Sequence, residues 1–243
     1  MCKVLCVIQA RAGSSRLPKK VLMDLCGKSV LEHVVERLQN SKEIDEIVIA
    51  TTNEDKDVCI KEAAEKLKIR CFRGDENNVL SRYYLAAKEF KGDIIIRITS
   101  DCPLIDPNLV DQVVKAFKSN RYDYVSPRSK DGLIRGLDVE VFSMKALEKA
   151  YKECADEMGL EHVTWFMYNN PDKFNLLDYP VPDKFRHPEI RLCVDEIKDY
   201  EKILHIYNKF YDGKIIDIER VIEYLLNNPE INNINYDVVQ KHV

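Results

Sequence analysis

The chain has 243 residues, of which 45% are hydrophobic and 32% charged, and its net charge is −4. This balance is typical of a soluble globular protein, and the length suffices for one α/β domain over residues 1–243. The negative charge argues against proteins that bind nucleic acids or anionic membranes, because those partners need a broadly basic surface.

The sequence also argues against membrane-spanning, secreted and zinc-binding proteins. No stretch approaches the roughly 20 apolar residues of a membrane span. The apolar run near the N-terminus is too short for a signal peptide. The eight cysteines form no C-x-x-C pair, so their spacing does not predict a zinc site. We therefore expect a cytoplasmic protein with reduced thiols.

Hydrophobic periodicity predicts alternating strands and helices up to about residue 120. The predicted strands are 4–8, 46–51, 69–73 and 93–99, and the predicted helices start at Ser29, span 54–68 and 79–90, and follow Asp106-Pro107. Ser29 and Glu32 have the spacing of a capping box. The alternation predicts a doubly wound, mostly parallel sheet between two helical layers, a three-layer α/β/α fold.

After residue 120 the pattern is looser. We predict strands at 122–127, 137–142 and 191–195, and helices at 143–154, 157–169, 196–211 and 217–226. Residues 129–136 indicate a polar, mobile loop, and the proline-rich stretch 171–190 indicates irregular or edge structure. No linker-like composition divides the chain, so residues 128–190 are predicted to form an excursion from the sheet of a single domain.

Cations and small residues follow the first predicted strand. The cations are Arg11, Arg16, Lys19 and Lys20, and the small residues Gly13, Ser14 and Ser15 lie between the first two of them. Small residues let backbone N–H groups approach phosphate oxygens, and Arg and Lys neutralise their charge. The loop therefore suits a polyphosphate, although a solvated cationic loop would have the same composition.

The string Q-A-R-x-x-S-x-R-L-P-x-K, which begins at Gln9, resembles the opening signature of the cytidylyltransferases that make CMP-activated sugar acids. Those enzymes act on acylneuraminate and on 3-deoxy-manno-octulosonate. The likeness is greatest to the spore-coat polysaccharide branch, the SpsF-like proteins, and runs from about residue 3 to about residue 205. It implies a nucleotide-diphospho-sugar transferase-like fold (a GT-A-like Rossmann variant), CTP and Mg²⁺ as ligands, and a homodimer formed through residues 128–190.

The resemblance also implies roles for individual residues. Arg16, Lys20 and Asp101 would be catalytic. The nucleotide would be bound by ten residues: Ala10, Arg11, Gly13, Ser14, Arg16, Lys20, Asn53, Arg73, Ser81 and Thr99.

The resemblance implies that two aspartates bind the magnesium ion. Asp101 follows the central strand in T-S-D-C-P-L, at the sheet edge where open parallel sheets bind ligands. Asp195 ends the string R-L-C-V-D, but the Thr-Pro pair that follows in the family is absent here. Either aspartate can alternatively cap local backbone, Asp101 in a turn before Pro103 and Asp195 at the next helix.

Three further residues are predicted to bind the acceptor. Asp138 and Glu140 lie two apart in G-L-D-V-E-V-F, so a strand would put both carboxylates on one face. That string and the E-H-V-T string around His162 resemble the SpsF-like branch. A second metal role for the carboxylates, an exposed strand face and a structural His162 are the alternatives.

These features together predict transfer of CMP from CTP to an acidic sugar acceptor, with release of pyrophosphate. One alternative is a phosphorylated acceptor, held by Arg128, Lys130 and Arg135, which would give a CDP-linked product. Another is a glycosyltransferase, which the absence of an Asp-x-Asp pair after the central strand disfavours. A non-catalytic nucleotide-binding regulator is the last alternative.

Overall fold

The computed structural model describes residues 2–240, apart from the side chain of Ser129. Its strands are β1 Val4–Gln9, β2 Asp24–Leu25, β3 Lys28–Ser29, β4 Glu46–Thr52, β5 Arg70–Gly74, β6 Ile94–Thr99, β7 Tyr124–Ser126, β8 Glu140–Ser143 and β9 Leu176–Asp178. Its α-helices are α1 Val30–Leu38, α2 Val58–Lys66, α3 Val79–Glu89, α4 Pro107–Ser119, α5 Met144–Glu153, α6 Glu157–Glu161, α7 Trp165–Tyr168, α8 Ile197–Phe210, α9 Ile218–Asn227 and α10 Pro229–Asn232.

The main sheet has seven strands in the order β5-β4-β1-β6-β8-β7-β9. Only β8 runs against its neighbours within this sheet. The prediction of a mostly parallel α/β sheet is therefore confirmed. The two central strands, β1 and β6, are paired in parallel from Val4–Ile94 to Gln9–Thr99, so both end at the same edge.

Helices cover both faces of this sheet. Val4, Cys6 and Ile8 of β1 belong to one buried cluster, and Leu5 and Val7 belong to the cluster on the opposite face. The first cluster includes apolar side chains of α1, α4, α8 and α9, and the second includes those of α3, α5 and α7. Three layers follow from the period-2 alternation of a strand that is buried on both sides.

The predicted helix caps at Ser29 and Asp106 are confirmed. The Ser29 side chain accepts from Glu32 N at 3.2 Å, and the Asp106 side chain accepts from Leu109 N at 2.7 Å. The short hairpin of β2 and β3 was not predicted. Its turn places Cys26 and Gly27 at positive φ, and a cysteine at the first position gives no turn signal in the sequence.

Two predicted segments that carry site residues have different bounds in the structure. The helix expected at 157–169 is interrupted between α6 and α7, and His162 lies at the C-terminal cap of α6. The strand expected at 137–142 begins at Glu140, so Asp138 precedes it. The chain bends locally there, because Gly136 N donates to the Asp138 carboxylate at 3.0 Å.

The prediction of a strand at 191–195 is wrong. Only Arg191 forms a β-bridge, with Arg135. Leu192 N donates to Arg135 O at 2.7 Å and Val194 N donates to Asp101 O at 2.8 Å. The segment therefore bonds to two different loops, and it joins no ladder.

Three smaller expectations also differ from the structure. Ile197, an apolar residue of the predicted helix 196–211, is 51% exposed. The helix predicted at 217–226 ends at Asn227, before Pro229, but it is not the last one, because the short helix α10 begins at Pro229. The segment 129–136, expected as a mobile loop, buries Leu133 and Ile134 in the core.

None of the described helices is long and apolar enough to cross a membrane.

Gly136 holds the segment that carries Asp195 close to the sheet. Its φ is +103°, and a Cβ there would lie 2.7 Å from the carbonyl carbon of Leu192 and 2.8 Å from Cys193 N. Only glycine lets the two backbones approach this closely. The structure of the 191–195 segment therefore depends on this residue.

We predict that Gly136→Ala lowers the free energy of unfolding by roughly 3 kcal/mol or more, because backbone strain and an unrelievable clash add together. Gly213→Ala is the matched control, since Gly213 has a φ of +93° but nothing within 4 Å of an added Cβ. That variant should lose only about 1–2 kcal/mol from strain. Urea unfolding measures both values, and equal losses would contradict the role given to Gly136.

Candidate active site

A cleft of about 700 Å³ opens at the edge of the sheet where β1 and β6 end. It is lined by these residues predicted for the site: Ala10, Arg11, Ser14, Arg16, Lys20, Thr99, Asp101, Asp138, Glu140, His162 and Asp195. Four other predicted residues, Gly13, Asn53, Arg73 and Ser81, do not line this cleft. The functional roles of all these residues stay predictions.

Lys20 joins the two aspartates at the centre of the cleft. Its Nζ lies 2.6 Å from Asp101 Oδ2 and 2.8 Å from Asp195 Oδ1. Burial alone would lower the pKa of Lys20, but the two carboxylates raise it above its ordinary value. Lys20 is therefore a fixed positive charge between two negative ones.

Asp195 receives two further cations. Its Oδ1 lies 3.0 Å from Arg16 Nη2, and its Oδ2 lies 2.6 Å from Arg191 Nη2. Burial alone would raise the pKa of Asp195, but Lys20, Arg16 and Arg191 lower it to about 2. The carboxylate is therefore ionised at neutral pH.

Asp199 and Arg191 build the turn around Asp195 without the family's Thr-Pro pair. Asp199 Oδ2 accepts from the backbone N–H groups of Asp195, at 2.9 Å, and Glu196, at 3.0 Å. Its Oδ1 accepts from Arg191 Nε at 2.9 Å and from Asn235 Nδ2 at 2.7 Å. A fully buried carboxylate with this many donors holds the segment rigidly.

Segments near the end of the chain reach the same cluster. Lys202 Nζ, also fully buried, donates to Asn232 Oδ1 at 2.8 Å and to Asn235 Oδ1 at 3.1 Å. Burial lowers the pKa of Lys202 to about 8. Arg16 Nη1 donates to Val239 O at 3.3 Å, and Gln240 lines the cleft. The C-terminal segment thus lies directly beside the cationic loop.

The loop after β1 is anchored by Asp57, which the sequence did not single out. Asp57 Oδ1 accepts from Ala12 N at 2.5 Å, and Thr52 Oγ1 donates to Oδ2 of the same carboxylate. Lys19, at a φ of +57°, turns the chain into the short 3₁₀ helix Lys20–Leu22.

Within residues 2–240, the guanidinium of Arg11 has no hydrogen-bond or ion-pair partner, so it is available to a ligand.

The predicted nucleotide residues outside the cleft stabilise the neighbouring loops. Arg73 Nε donates to Thr52 O at 2.9 Å, Asn53 N donates to Gly74 O at 2.8 Å, and Ser81 Oγ donates to Asn78 O at 2.8 Å. Val79 and Arg82, at the start of α3, line the cleft instead. Val79 and Arg82 face the cleft together because side chains three residues apart share one face of α3, and Ser81 lies on a different face.

The part of the cleft below α6 and α7 holds the predicted acceptor residues. Glu140 forms an ion pair with Arg97 and accepts from Tyr124 Oη at 2.7 Å and Thr164 Oγ1 at 2.5 Å. Burial alone would raise the pKa of Glu140, but Arg97 and the two hydroxyl donors lower it. Its carboxylate is thus already hydrogen-bonded within the protein. Arg97 was not predicted as a site residue.

Asp138 and His162 border the same part of the cleft. Burial raises the pKa of Asp138, and only the Gly136 N–H and the charge of Arg135 act strongly against it. Burial also lowers the pKa of His162, which favours the neutral imidazole. Both side chains can therefore exchange hydrogen bonds with a polar ligand.

The described residues contain no cluster of three or more acidic, His or Cys side chains that would enclose a metal ion alone. Asp101 and Asp195 nevertheless suit Mg²⁺, which proteins usually bind through one or two carboxylates together with substrate phosphates and water. Both carboxylates already share one cation, Lys20. The donor set therefore fits a magnesium ion that arrives with a phosphorylated substrate.

Comparison with known proteins gives consistent results. A family model for cytidylyltransferases matches residues 5–218. An uncharacterized protein of Methanocaldococcus jannaschii is 42% identical over 239 residues, covering 98% of this chain and 97% of that protein. The spore coat polysaccharide biosynthesis protein SpsF of Bacillus subtilis is 33% identical over 237 residues, covering 93% and 95%.

Two solved structures are also similar to this chain. A cytidylyltransferase from Leptospira borgpetersenii has a TM-score of 0.90 at 33% identity, with 100% of each chain covered. A CMP:2-keto-3-deoxy-manno-octonic acid synthetase complexed with CTP has a TM-score of 0.66 at 16% identity, covering 85% of this chain and 99% of that one, which shows a shared fold. The region that the family model matches contains every cleft residue named above except Gln240. The chain belongs to the cytidylyltransferase family.

Proposed function

We propose that the protein transfers CMP from CTP to an acidic sugar acceptor of the sialic or nonulosonic acid kind, with release of pyrophosphate. The observation that carries this proposal is the contact of Lys20 with both Asp101 and Asp195, beside a loop rich in cations. A triphosphate needs neutralising charges next to a metal site, and this cleft has cations beside two carboxylates that would bind a metal ion.

Three of the four cations of the loop have a role in this proposal. Arg11, Ser14, Arg16 and Lys20 hold the triphosphate, and Arg16 and Lys20 stabilise the charge that develops on the pyrophosphate as it leaves. The acceptor oxygen attacks the α-phosphorus in line, so the bond to the β-phosphate oxygen breaks as the new bond forms. Such catalysis consists mainly of positioning and preorganised charge. Magnesium, bound through Asp101 and Asp195, would add positive charge at the α-phosphate.

The acceptor class and the pathway rest on similarity together with charge. The SpsF relative takes its name from spore coat polysaccharide, which supports a role in the synthesis of a cell-surface polysaccharide. Arg97, Arg128, Lys130 and Arg135 all line the acceptor side of the cleft, which favours an anionic acceptor. A cytoplasmic location, where CTP is available, is part of the same proposal.

A phosphorylated acceptor is the second candidate. Arg128 Nε and Lys130 Nζ both approach Asp178, at 2.7 Å and 3.2 Å, so two cations share one anion. Within the described part of the chain, the guanidinium of Arg135 forms no hydrogen bond or ion pair. This surplus of positive charge would also suit a phosphate, and the product would then be CDP-linked.

The first test is pyrophosphate release with magnesium, each of the four NTPs, and a panel of acidic sugars and phosphorylated acceptors. We expect release with CTP and a nonulosonic acid. Release only with a phosphorylated acceptor would select the second candidate. Nucleotide binding that needs no magnesium and gives no turnover would instead support a non-catalytic regulator.

The second test is the Asp101→Asn variant. We expect turnover to fall by a factor on the order of 10² to 10³, the loss typical of one preorganised charge contact. Asp183→Asn is the control, because Asp183 is fully exposed and does not line the cleft. Turnover of Asp101→Asn within about threefold of the wild type would remove Asp101 from the mechanism.

We also propose a homodimer. Leu85, Tyr151 and Met158, on the adjoining helices α3, α5 and α6, are about 40% exposed, which is unusual for large apolar side chains near one another. Two of them belong to the predicted excursion 128–190. Light scattering at micromolar concentration should give the mass of a dimer, and a monomer mass would count against this proposal.

A further inference from the structure

We propose that Arg97 recognises an anionic oxygen group of the acceptor, and that Glu140, Tyr124, Thr164 and Gln9 hold its guanidinium in position. The inference deepens the proposed function and rests on it. It makes Arg97 the residue that contacts substrate and makes Glu140 a positioning residue.

The position of Arg97 follows from the pairing of the central strands. Arg97 of β6 lies directly opposite Glu140 of β8 in the antiparallel register, and the two side chains form an ion pair. On the other side, Arg97 Nε donates to Gln9 Oε1, at the end of β1, at 3.2 Å. The guanidinium is therefore held from both neighbouring strands on the floor of the cleft.

Glu140 is fixed by its own donors. Tyr124 Oη and Thr164 Oγ1 both donate to Oε1, while Oε2 faces Arg97. Tyr124 belongs to β7, Thr164 precedes α7 and Arg97 belongs to β6, so three separate parts of the fold fix one carboxylate. A carboxylate offers about four lone-pair sites, so most of those of Glu140 are used within the protein.

Arg97 itself keeps unused donors. A guanidinium has five N–H groups, and within residues 2–240 Arg97 uses one on Gln9 and one on Glu140. The other three have no protein acceptor in that range. The side chain is 18% exposed and lines the cleft, so these donors face the space that a ligand would occupy.

The chemistry of these donors defines the ligand. Arginine N–H groups only donate, and their planar fork matches the oxygens of a carboxylate or a phosphate. Arg97 is ion-paired with Glu140 and lines the cleft together with Asp138 and His162, the other residues predicted to bind the acceptor. We therefore assign the group that it binds to the acceptor and not to the triphosphate proposed to lie at Lys20.

The experiment uses the whole chain saturated with magnesium and α,β-methylene CTP, whose α–β bridge cannot be cleaved, so that the nucleotide site is filled and no turnover occurs. CTP binding itself is measured separately, with magnesium and without a probe. Calorimetry measures the dissociation constants of two probes, 3-deoxy-manno-octulosonate for a carboxylate and glycerol 3-phosphate for a phosphate. The variants are Arg97→Met and Arg97→Lys, with Arg121→Met, an exposed arginine outside the cleft, as the matched control. The double variant Arg97→Met/Glu140→Gln removes the ion pair as a unit, so an unpaired buried carboxylate does not compromise folding.

We expect one probe to bind the wild type, and the identity of that probe distinguishes the carboxylate from the phosphate. Arg97→Met and the double variant should bind it roughly 10- to 100-fold more weakly, the range for losing a charged hydrogen bond, while the dissociation constant of CTP stays within about threefold. Arg97→Lys should recover part of the loss, and Arg121→Met should bind as the wild type does.

Two results would overturn the inference: binding of neither probe to the wild type, or binding to both Arg97→Met proteins within about threefold of the wild type. The proposed function fails separately. If a probe binds in an Arg97-dependent manner but never releases pyrophosphate from CTP with magnesium, the recognition by Arg97 stands and the transfer reaction does not.

Discussion

The contact of one ammonium group with two carboxylates organises this protein. Lys20 comes from the loop after β1, Asp101 from the end of β6, and Asp195 from a segment nearly a hundred residues later. Removing either kind of partner would leave partly buried charge uncompensated, which is far more costly than breaking an exposed pair. The three chain segments must therefore meet for the cleft to exist. The parallel pairing of β1 with β6 brings the first two together, because it ends both strands at one edge.

The third segment needs separate support, because no strand ladder holds it. Gly136 lets its backbone approach closely, and Asp199 accepts hydrogen bonds from the N–H groups of Asp195 and Glu196. Asn235 then binds Asp199 from the C-terminal segment. Residues beyond the region that the family model matches thus stabilise a residue proposed to bind metal. Asp195 is thus held in place by a network of side chains distant in sequence, which a comparison of local motifs cannot detect.

The features that could be predicted from the sequence are those that depend on residues close together in the chain. Buried strands such as β1 and β6, the cap at Asp106 and the Asp101 position all follow from local periodicity or from a local string. The 191–195 segment was misassigned because its apolar residues bury themselves against loops, and burial alone does not distinguish that from a strand. Asp57 and Arg97 were missed because their importance depends on partners distant in sequence, Ala12 and Glu140. A charged residue inside a helix or strand gives no signal of such a partner.

In both halves of the cleft, ion pairs hold charged side chains in fixed positions. In the nucleotide half, Lys20 lies between Asp101 and Asp195. Arg16 and Arg191 also contact Asp195, so cations and carboxylates are paired there, which would suit a triphosphate that binds together with a metal ion. In the acceptor half, the Glu140 carboxylate balances Arg97, and among residues 2–240 the guanidinium of Arg135 forms no ion pair. Glu140, expected to bind the acceptor, is better explained as the group that keeps Arg97 in place. A buried arginine without such a counter-ion would carry a large desolvation cost, and with it the guanidinium can stay charged and directed at the ligand.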